Sequence, residues 1–294
     1  MTMTNARRNF FSVVAALNAL ALSPASVFAT WSVIAADRAT GRVVIASATC
    51  VPQANLERFP SKGLMDVQAI VVPGVGVAAA QAGVDRTRAN QMLIYQEMKK
   101  GTHPSAILQL LMQDSSIQRR QFGMVDLQGR FAGFSGARNG NASLDVQGQV
   151  PGTEIFYSIQ GNILQSNAVV QNAVRALEST EGTITDRVMA AMEAADAAGG
   201  DSRCTCTSEP VPDAPCSTRA AHVAYLLAAD RNDTQGTSHN DGRYSVFLDV
   251  TDQNIRADEN ANPVTTLRMR YDVWKRSQGG ADERPFRRRP DRLP

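Results

Sequence analysis

The sequence lacks the short motifs that mark most hydrolases and nucleotide-binding proteins. It contains no Gly-x-Ser-x-Gly, no His-Glu-x-x-His, no Walker loop and no Rossmann fingerprint. Histidine is scarce too, with only His103, His222 and His239, none of which stands in a recognisable motif. A Ser-His-Asp triad therefore has no support, and each histidine is expected to be a surface or core residue.

Net charge and long apolar runs are also lacking. The formal net charge is only +2, and removing Arg7 and Arg8 from the 30 basic residues balances the 28 acidic ones. A neutral chain has no electrostatic means of binding nucleic acid or an anionic membrane. No apolar run after the first 22 residues is long enough to cross a bilayer, so no membrane span is expected.

Residues 1–29 have the pattern of a cleaved export signal. A pair of arginines precedes an apolar run at 10–22 that is too short for a stable anchor. Val27 and Ala29 are the small residues that a signal peptidase accepts, which predicts cleavage after Ala29. The arginine pair fits either a twin-arginine or an ordinary Sec signal, and a periplasmic or secreted protein is expected.

Cleavage after Ala29 would make Thr30 the new N-terminus. A hydroxyl and an α-amine would then belong to one residue. The reference pKa of an α-amine, roughly 7.7–8.0, leaves a neutral fraction near pH 7 that can accept the hydroxyl proton. One cleavage would both export the protein and create a nucleophile with its own base. The alternative is that a threonine follows the signal peptide without any chemical role.

The four cysteines fit an oxidising compartment. Cys204 and Cys206 are one residue apart, a poor spacing for bridging each other. The simplest pairing joins Cys206 to Cys216 and Cys204 to Cys50. A zinc site is the competing interpretation, and it is weaker because no histidine stands near the Cys-Thr-Cys run and His222 is alone in the sequence.

The hydropathy pattern predicts one domain over residues 30–275, followed by a disordered, basic, Pro-rich tail at 276–294. Strands are predicted at 30–36, 43–50, 70–80 (a pair broken at residues 73–74), 121–126, 130–135, 157–159, 220–229 and 244–250. Helices are predicted at 87–100, 104–112, 168–179 and 186–198. Alternating groups of strands and helices favour a sandwich of sheets flanked by helix layers.

Two polar clusters stand next to glycines, where a small molecule can approach the backbone. In Gln160-Gly161-Asn162, which follows a predicted strand, the glycine allows a turn and Asn162 could donate its amide to an oxyanion. Capping of the next helix explains Asn162 equally well. Asp201 and Arg203 follow a glycine pair and suit either a binding site or a local ion pair.

A third pair of polar residues, Thr49 and Gln81, ends two apolar strands. Each is a candidate for binding a substrate, and the alternative is that either side chain is simply solvated.

Five segments in order resemble a known bacterial family: TWSVIAADRATGRVVIASATC, AAAQAG, QFGMVDLQGRFAGFSG, YSIQGNIL and GGDSR. They resemble the family called domain of unknown function 1028, which is grouped with the N-terminal nucleophile (Ntn) hydrolases. The resemblance runs from Thr30 to about Arg203. It implies an α+β fold, a four-layer α-β-β-α sandwich with the mature N-terminus on a central strand. After Arg203 the chain departs from the family pattern, because residues 204–219 insert a Cys- and Pro-containing loop.

The resemblance also bears on function, since it supports Ser32, Asn162, Asp201 and Arg203 as site residues beside Thr30. It favours an exported Ntn amidohydrolase, acting on a small-molecule or peptide-like amide or ester. Thr30 would be the nucleophile, Asn162 the oxyanion donor, and Ser32 or Thr49 would orient the amine. The residues expected to bind substrate are Thr49, Gln81, Gln160, Asp201 and Arg203.

No metal motif is present, so a reaction without a metal or cofactor is expected. A homo-oligomer is compatible with the sequence. The alternative function is a non-catalytic, secreted binding or surface-assembly protein on the same scaffold, because a fold does not fix an activity.

Overall fold

The computed structural model describes residues 27–28, 30–58 and 61–278. Most of the predicted export signal, including Ala29 at the predicted cleavage site, lies outside the described residues, as does the predicted tail beyond residue 278. The predicted domain boundaries remain predictions for that reason.

Eleven strands and seven α-helices form within these residues. The strands are β1 (Val27–Phe28), β2 (Thr30–Asp37), β3 (Arg42–Thr49), β4 (Ala69–Val72), β5 (Gly76–Gly83), β6 (Arg120–Asp126), β7 (Phe131–Ser135), β8 (Leu144–Gln149), β9 (Ile155–Asn162), β10 (Val223–Ala229) and β11 (Val246–Thr251). The helices are α1 (Gln53–Leu56), α2 (Leu64–Gln68), α3 (Ala89–Lys99), α4 (Pro104–Leu111), α5 (Ala168–Ser179), α6 (Ile184–Ala197) and α7 (Pro263–Ser277).

The strands form two antiparallel sheets. A five-stranded sheet has the order β1-β5-β6-β7, with β4 also paired to β5. A six-stranded sheet has the order β11-β10-β3-β2-β9-β8. Mixed helical and strand content with two antiparallel sheets confirms the predicted α+β class.

The hairpin of β2 and β3 forms the centre of the six-stranded sheet. Its turn is fixed by Asp37, whose carboxylate accepts hydrogen bonds from the Ala39 amide (3.0 Å) and the Thr40 hydroxyl (2.8 Å). Gly41 completes the turn at a φ of +78°, which favours glycine. Both strands are apolar over most of their length and buried throughout except for Arg42, as expected for strands covered on both faces.

Three hydrophobic clusters divide the core, and alternate residues of β2 belong to two of them. Trp31 and Val33 pack with α5, α6 and α7, whereas Ile34 packs in the space between the two sheets. A third cluster, which includes Phe122 and Ile94, lies between the five-stranded sheet and helices α3 and α4. Because side chains alternate across a strand, each sheet carries helices on its outer face and meets the other sheet on its inner face.

Two sequence-based expectations are wrong for β9. The strand does not end before Gln160 but runs to Asn162, so the Gln160-Gly161-Asn162 segment is paired strand and not a turn. A side chain on Gly161 would approach Leu164 Cδ1 to 2.7 Å, so the glycine serves close packing. Asn162 does not cap the following helix either, because α5 begins after Asn167.

Helix α7 was not predicted from the sequence. It begins in a standard way, with the Asn262 side chain accepting from the Val264 amide (3.0 Å) and Pro263 in the first turn. Its buried residues include Val264, Leu267 and Tyr271, spaced three and four residues apart. This spacing is a helical signal, but the many charged residues between these positions obscure it.

Both predicted disulfides are present. Cys50 is bonded to Cys204 (Cα–Cα 5.6 Å), and Cys206 to Cys216 (Cα–Cα 5.9 Å). Two disulfides indicate an oxidising compartment. Among the described residues, no helix is both long enough and apolar enough to cross a membrane.

The two disulfides should differ in their contribution to stability. The bonded cysteines are 154 and 10 residues apart in the sequence. The loss of unfolded-chain entropy therefore stabilises the folded state by about 5 kcal/mol for Cys50–Cys204 and by about 3 kcal/mol for Cys206–Cys216. We expect the double variant Cys50→Ser/Cys204→Ser to lose more free energy of unfolding than Cys206→Ser/Cys216→Ser. Urea denaturation of the two variants, each a control for the other, measures the difference. An equal loss would contradict this ranking.

Candidate functional site

Thr30 lies at the start of the central strand β2, between two polar residues. It is paired directly with Thr49 on β3 and with Asn162 on β9. Paired residues of antiparallel strands point to the same face, so the three side chains form a row facing the five-stranded sheet. The Thr30 hydroxyl donates to Thr49 Oγ1 at 3.3 Å. In this full-length chain the Thr30 residue is only 1% exposed.

A second polar row lies one pleat further along the same face. Ser32 is paired with Ser47 on β3 and with Gln160 on β9. Gln160 Nε2 donates to Ser32 Oγ at 2.6 Å, and Ser47 Oγ donates to the Trp31 carbonyl at 2.7 Å. Ser32 is therefore held between its neighbours and is directed across to the other sheet.

Gln81, from β5 of the five-stranded sheet, joins the two sheets. Its Oε1 accepts from Ser32 Oγ (2.7 Å) and from Gln68 Nε2 (2.6 Å). Its Nε2 donates to the Thr30 carbonyl (3.1 Å) and to Gln121 Oε1 (2.7 Å). Gln81 is only 5% exposed and Thr49 is fully buried, so the alternative that these two residues are solvated is wrong.

Three members of this network were not anticipated. Ser47 lies two residues before Thr49 on the same strand face, so period-two alternation could have identified it. Gln121 is the second residue of β6, and its Nε2 donates to the Gly161 carbonyl at 2.9 Å. Gln68 ends the short helix α2, which has no clear signal in the sequence.

Asp201 and Arg203 form the local ion pair that was one of the two expectations for them. Arg203 Nη2 lies 2.8 Å from Asp201 Oδ2, and Arg203 Nε donates to Oδ1 at 3.0 Å. Asp201 is fully buried and also accepts from the Cys50 amide at 3.0 Å. Since Cys50 follows Thr49, this carboxylate supports the end of β3 beside the Thr30 row.

One of the three histidines caps a helix, and the other two are buried. His103 caps α4 by accepting from the Ser105 amide at 3.2 Å, and burial lowers the pKa of His239. His222 is 2% exposed, and burial, followed by the charges of Arg219 and Arg203, lowers its pKa to about 4. Its imidazole is therefore neutral at pH 7.

His222 is not isolated in space, contrary to its isolation in the sequence. One of its ring nitrogens lies within 4.8 Å of the sulfurs of Cys50 and Cys204. Those two sulfurs are bonded to each other, whereas structural zinc sites use thiolates. The residues do not fit zinc in this oxidised state.

A small pocket lies beside Thr30. Apolar side chains of α1 and α2 line it together with Gln68, Gln81 and the end of β5. In the full-length chain β1 runs antiparallel along this end of β5, with Val27 opposite Gly83 and Phe28 opposite Ala82. Val27 and Phe28 thus occupy the sheet edge next to the pocket.

Comparison with known proteins identifies the family. A family model described as "Family of unknown function (DUF1028)" matches residues 30–209, more than half of the chain. The chain belongs to the DUF1028 family. The resemblance noted from the sequence is confirmed, and the matched region begins at Thr30.

A solved structure shows the same fold. The crystal structure of protein SPO2555 from Silicibacter pomeroyi, assigned to family model DUF1028, matches with a TM-score of 0.58 and 21% sequence identity. The match covers 86% of this chain and 90% of that chain. At this identity the likeness concerns the fold alone. No curated protein matches the chain.

We expect Gln81→Leu to destabilise the protein by about 2–4 kcal/mol, because it leaves the hydrogen-bonding groups of Ser32, Gln68 and Gln121 buried without that partner. Gln171→Leu is the matched control, since Gln171 is exposed on α5 and the same atoms change. Urea denaturation measures both variants. Equal free energies of unfolding would show that the Gln81 amide does not hold the sheets together.

Proposed function

We propose that this DUF1028 chain is an exported amidohydrolase of the Ntn type, in which Thr30 becomes the N-terminal nucleophile after cleavage behind Ala29. The observation that carries the proposal is the place of Thr30, at the first position of the central strand and in a buried polar row between two sheets. The family match that begins at this residue supports it. We take the two sheets and their outer helices as the four-layer α-β-β-α sandwich of that class.

Apart from the substrate and one water molecule, the proposed reaction uses only groups of the chain. The neutral α-amine of Thr30 takes the hydroxyl proton, and Oγ1 attacks the carbonyl carbon of an amide or ester. The amine then protonates the leaving nitrogen or oxygen as the bond to carbon breaks, leaving an acyl group on Oγ1. A water molecule, deprotonated by the same amine, attacks the acyl carbon. The bond from that carbon to Oγ1 breaks, the ammonium returns its proton to Oγ1, and a carboxylic acid is released from the regenerated Thr30.

Neighbouring residues have defined roles in this scheme. Asn162, paired with Thr30 on β9, supplies its side-chain amide to the developing oxyanion. Thr49, on the other side, and Ser32, one pleat away, orient the amine and hydroxyl. Gln81 and Gln160 act on substrate through Ser32, which both of them contact.

The assignment of Asp201 and Arg203 to substrate binding also belongs to the proposal. The Asp201 carboxylate is buried against Cys50, so it fixes the wall of the site. The Arg203 side chain is 40% exposed and still carries its charge next to that wall. Of Asp201 and Arg203, Arg203 is therefore the residue that is able to contact a substrate.

A non-catalytic binding or surface-assembly protein is the second candidate. The observation that favours it is the burial of Thr30 in the full-length chain, where its nitrogen belongs to a peptide bond and has no basic lone pair. If cleavage occurs elsewhere, the Thr30 hydroxyl has no adjacent α-amine to act as its base. The protein could then function only by binding other molecules through its surface. The position of cleavage therefore separates the two candidates.

The exported protein should begin at Thr30. Intact-mass measurement and N-terminal sequencing of the periplasmic or secreted protein determine this directly. The leader pattern that ends at Ala29 is the reason for the expectation. A protein that starts at Ser26 or Trp31 would remove the base from the mechanism.

Substitution of Thr30 tests the nucleophile. Thr30→Ala should abolish hydrolysis of p-nitrophenyl acetate, an activated ester, and Thr30→Ser should retain part of it because hydroxyl and amine both remain. Both variants must be processed at the same position and show an unchanged far-UV circular dichroism spectrum. Undiminished hydrolysis by correctly processed Thr30→Ala would exclude this nucleophile.

The pH dependence tests the base. Since an α-amine must be neutral to accept a proton, kcat/KM should rise from acid to neutral pH, with a controlling pKa near roughly 7.7–8.0 or below it where burial disfavours the ammonium form. A carboxylate base would place the rise near a pH of about 4. Acetylation of the Thr30 amine should remove activity although the hydroxyl is untouched. Full activity after verified acetylation would show that another group is the base.

A further inference from the structure

One edge of β5 is shared by two strands that come from different parts of the chain. β6 pairs with residues 76–82 of β5 along the other edge. β4 pairs with residues 76–79, and β1 with Ala82 and Gly83, so both lie on the edge that β6 leaves open. The part of this edge nearest Thr30 is therefore held by β1.

β1 is part of the predicted leader. Cleavage after Ala29 would take Val27 and Phe28 away and leave Ala82 and Gly83 without a paired strand on this edge, although the Gly83 carbonyl would keep its hydrogen bond from Arg120 Nη1 (2.6 Å). An edge with unpaired N–H and C=O groups is a template for another extended chain. Ala82 is also held at a φ of +70°, a strained conformation of the kind that proteins keep at binding sites.

Two small cavities, each with room for about one water molecule, lie on opposite faces of this edge in the unprocessed chain. The first contains Thr30 and side chains of α1 and α2, on the side that faces the six-stranded sheet. The second lies on the α3 side and is lined by Asn90, Gln91 and Arg120 among others. Successive side chains of a paired strand point to opposite faces, so two neighbouring side chains of a bound peptide would point towards the two cavities, one on each face.

Gln91, which lines the second cavity, has a buried side-chain oxygen without a hydrogen-bond donor in the described part of the chain. Gln91 is only 2% exposed, and its Nε2 donates to the Val67 carbonyl at 3.0 Å. Its Oε1 is buried and, within residues 27–28, 30–58 and 61–278, has no hydrogen-bond partner. Buried acceptors are nearly always paired, so this oxygen is suited to an N–H or O–H of a ligand.

The direction of β1 gives the register of such a ligand. β1 is antiparallel to β5 and ends at Phe28, two residues before Thr30. A peptide in the same position would therefore bring the carbonyl of its next residue, the equivalent of residue 29, to Thr30. The acyl side of the bond to be cleaved would lie on β5.

We propose that the Ala82–Gly83 edge of β5 is the acyl-side subsite of the enzyme and binds an extended peptide by antiparallel strand pairing, in the place that β1 holds before cleavage. This inference rests on the proposed cleavage after Ala29 and narrows the substrate class to peptides or peptide-like amides. The leader has a second role in consequence, because it occupies the subsite until it is removed.

The test uses the peptide acetyl-Ser-Val-Phe-Ala-amide, which has the sequence of residues 26–29. Binding is measured by calorimetry to two proteins, the full-length chain and a chain made to start at position 30 with Thr30→Ala. This substitution prevents turnover by the proposed nucleophile without touching β5. We expect the shortened chain to bind at least tenfold more tightly than the full-length chain.

Two N-methylated peptides provide matched controls. Paired residues of antiparallel strands alternate between hydrogen-bonded and non-hydrogen-bonded pairs, so only one of the Val and Phe amides contacts β5. N-methylation of that residue should abolish binding, and N-methylation of the other should not. In hydrogen exchange, the amide of Ala82 or Gly83 that faces this edge should lose protection in the shortened chain and regain it with peptide.

A variant that keeps residues 1–29 tests the same subsite in case the shortened chain does not fold. Val27→Pro/Phe28→Pro removes the backbone donors of β1 and should itself gain peptide binding. Absence of binding to both the shortened chain and this variant, or equal binding of both N-methylated peptides, would overturn the subsite. Peptide binding by a processed wild-type protein that hydrolyses nothing would leave the subsite standing and refute the proposed nucleophile.

Discussion

The side-chain amide of Gln81 makes four hydrogen bonds, two of which cross from the five-stranded to the six-stranded sheet, and the position of Thr30 depends on them. Two go to the six-stranded sheet, to Ser32 Oγ and the Thr30 carbonyl, and two go to Gln68 and Gln121. A buried amide left unpaired costs more than a typical hydrogen bond contributes, so the network is stable only when complete. The sheets are thus fixed relative to each other where the polar rows lie, and elsewhere between them the packing is apolar.

Close backbone packing is part of the same constraint. Gly123 on β6 faces the second polar row, and a Cβ atom there would lie 2.2 Å from Gln160 Oε1. A glycine at this position lets the side chains of β9 reach into the space between the sheets. Ser158 Oγ, which donates to Gln160 Oε1 at 2.8 Å, would meet the same obstruction. The polar rows therefore need a neighbouring strand with no side chain at that point.

Much of the secondary structure can be predicted from the sequence, because local residue patterns determine it. Local sequence patterns of charged residues, hydrophobic periodicity or glycine mark three parts of the fold. These are the turn at Asp37, the helices α5 and α6, and the break between β4 and β5. Thr49 and Asn162 were named from the sequence as candidate site residues, because each is polar and stands at a strand end or beside a glycine. Their direct pairing with Thr30 could not be read from local patterns, since it arises from the alignment of β3 and β9 on β2. Gln68 and Gln121 were missed because no local pattern in the sequence marks either of them as a buried polar residue. The spacing of buried residues in α7 was present but was hidden by the charged residues between them.

The Cys50–Cys204 bond has a consequence for where the protein can work. It joins the residue after Thr49 to the segment that holds Asp201, so the end of β3 beside Thr30 is secured by a covalent link that a reducing cytoplasm would not maintain. In the proposed enzyme the removal of the leader also takes place outside the cytoplasm. Two separate covalent events would then have to follow translocation before the site is complete, and newly made chains would pose no hydrolytic risk to the cell that synthesises them.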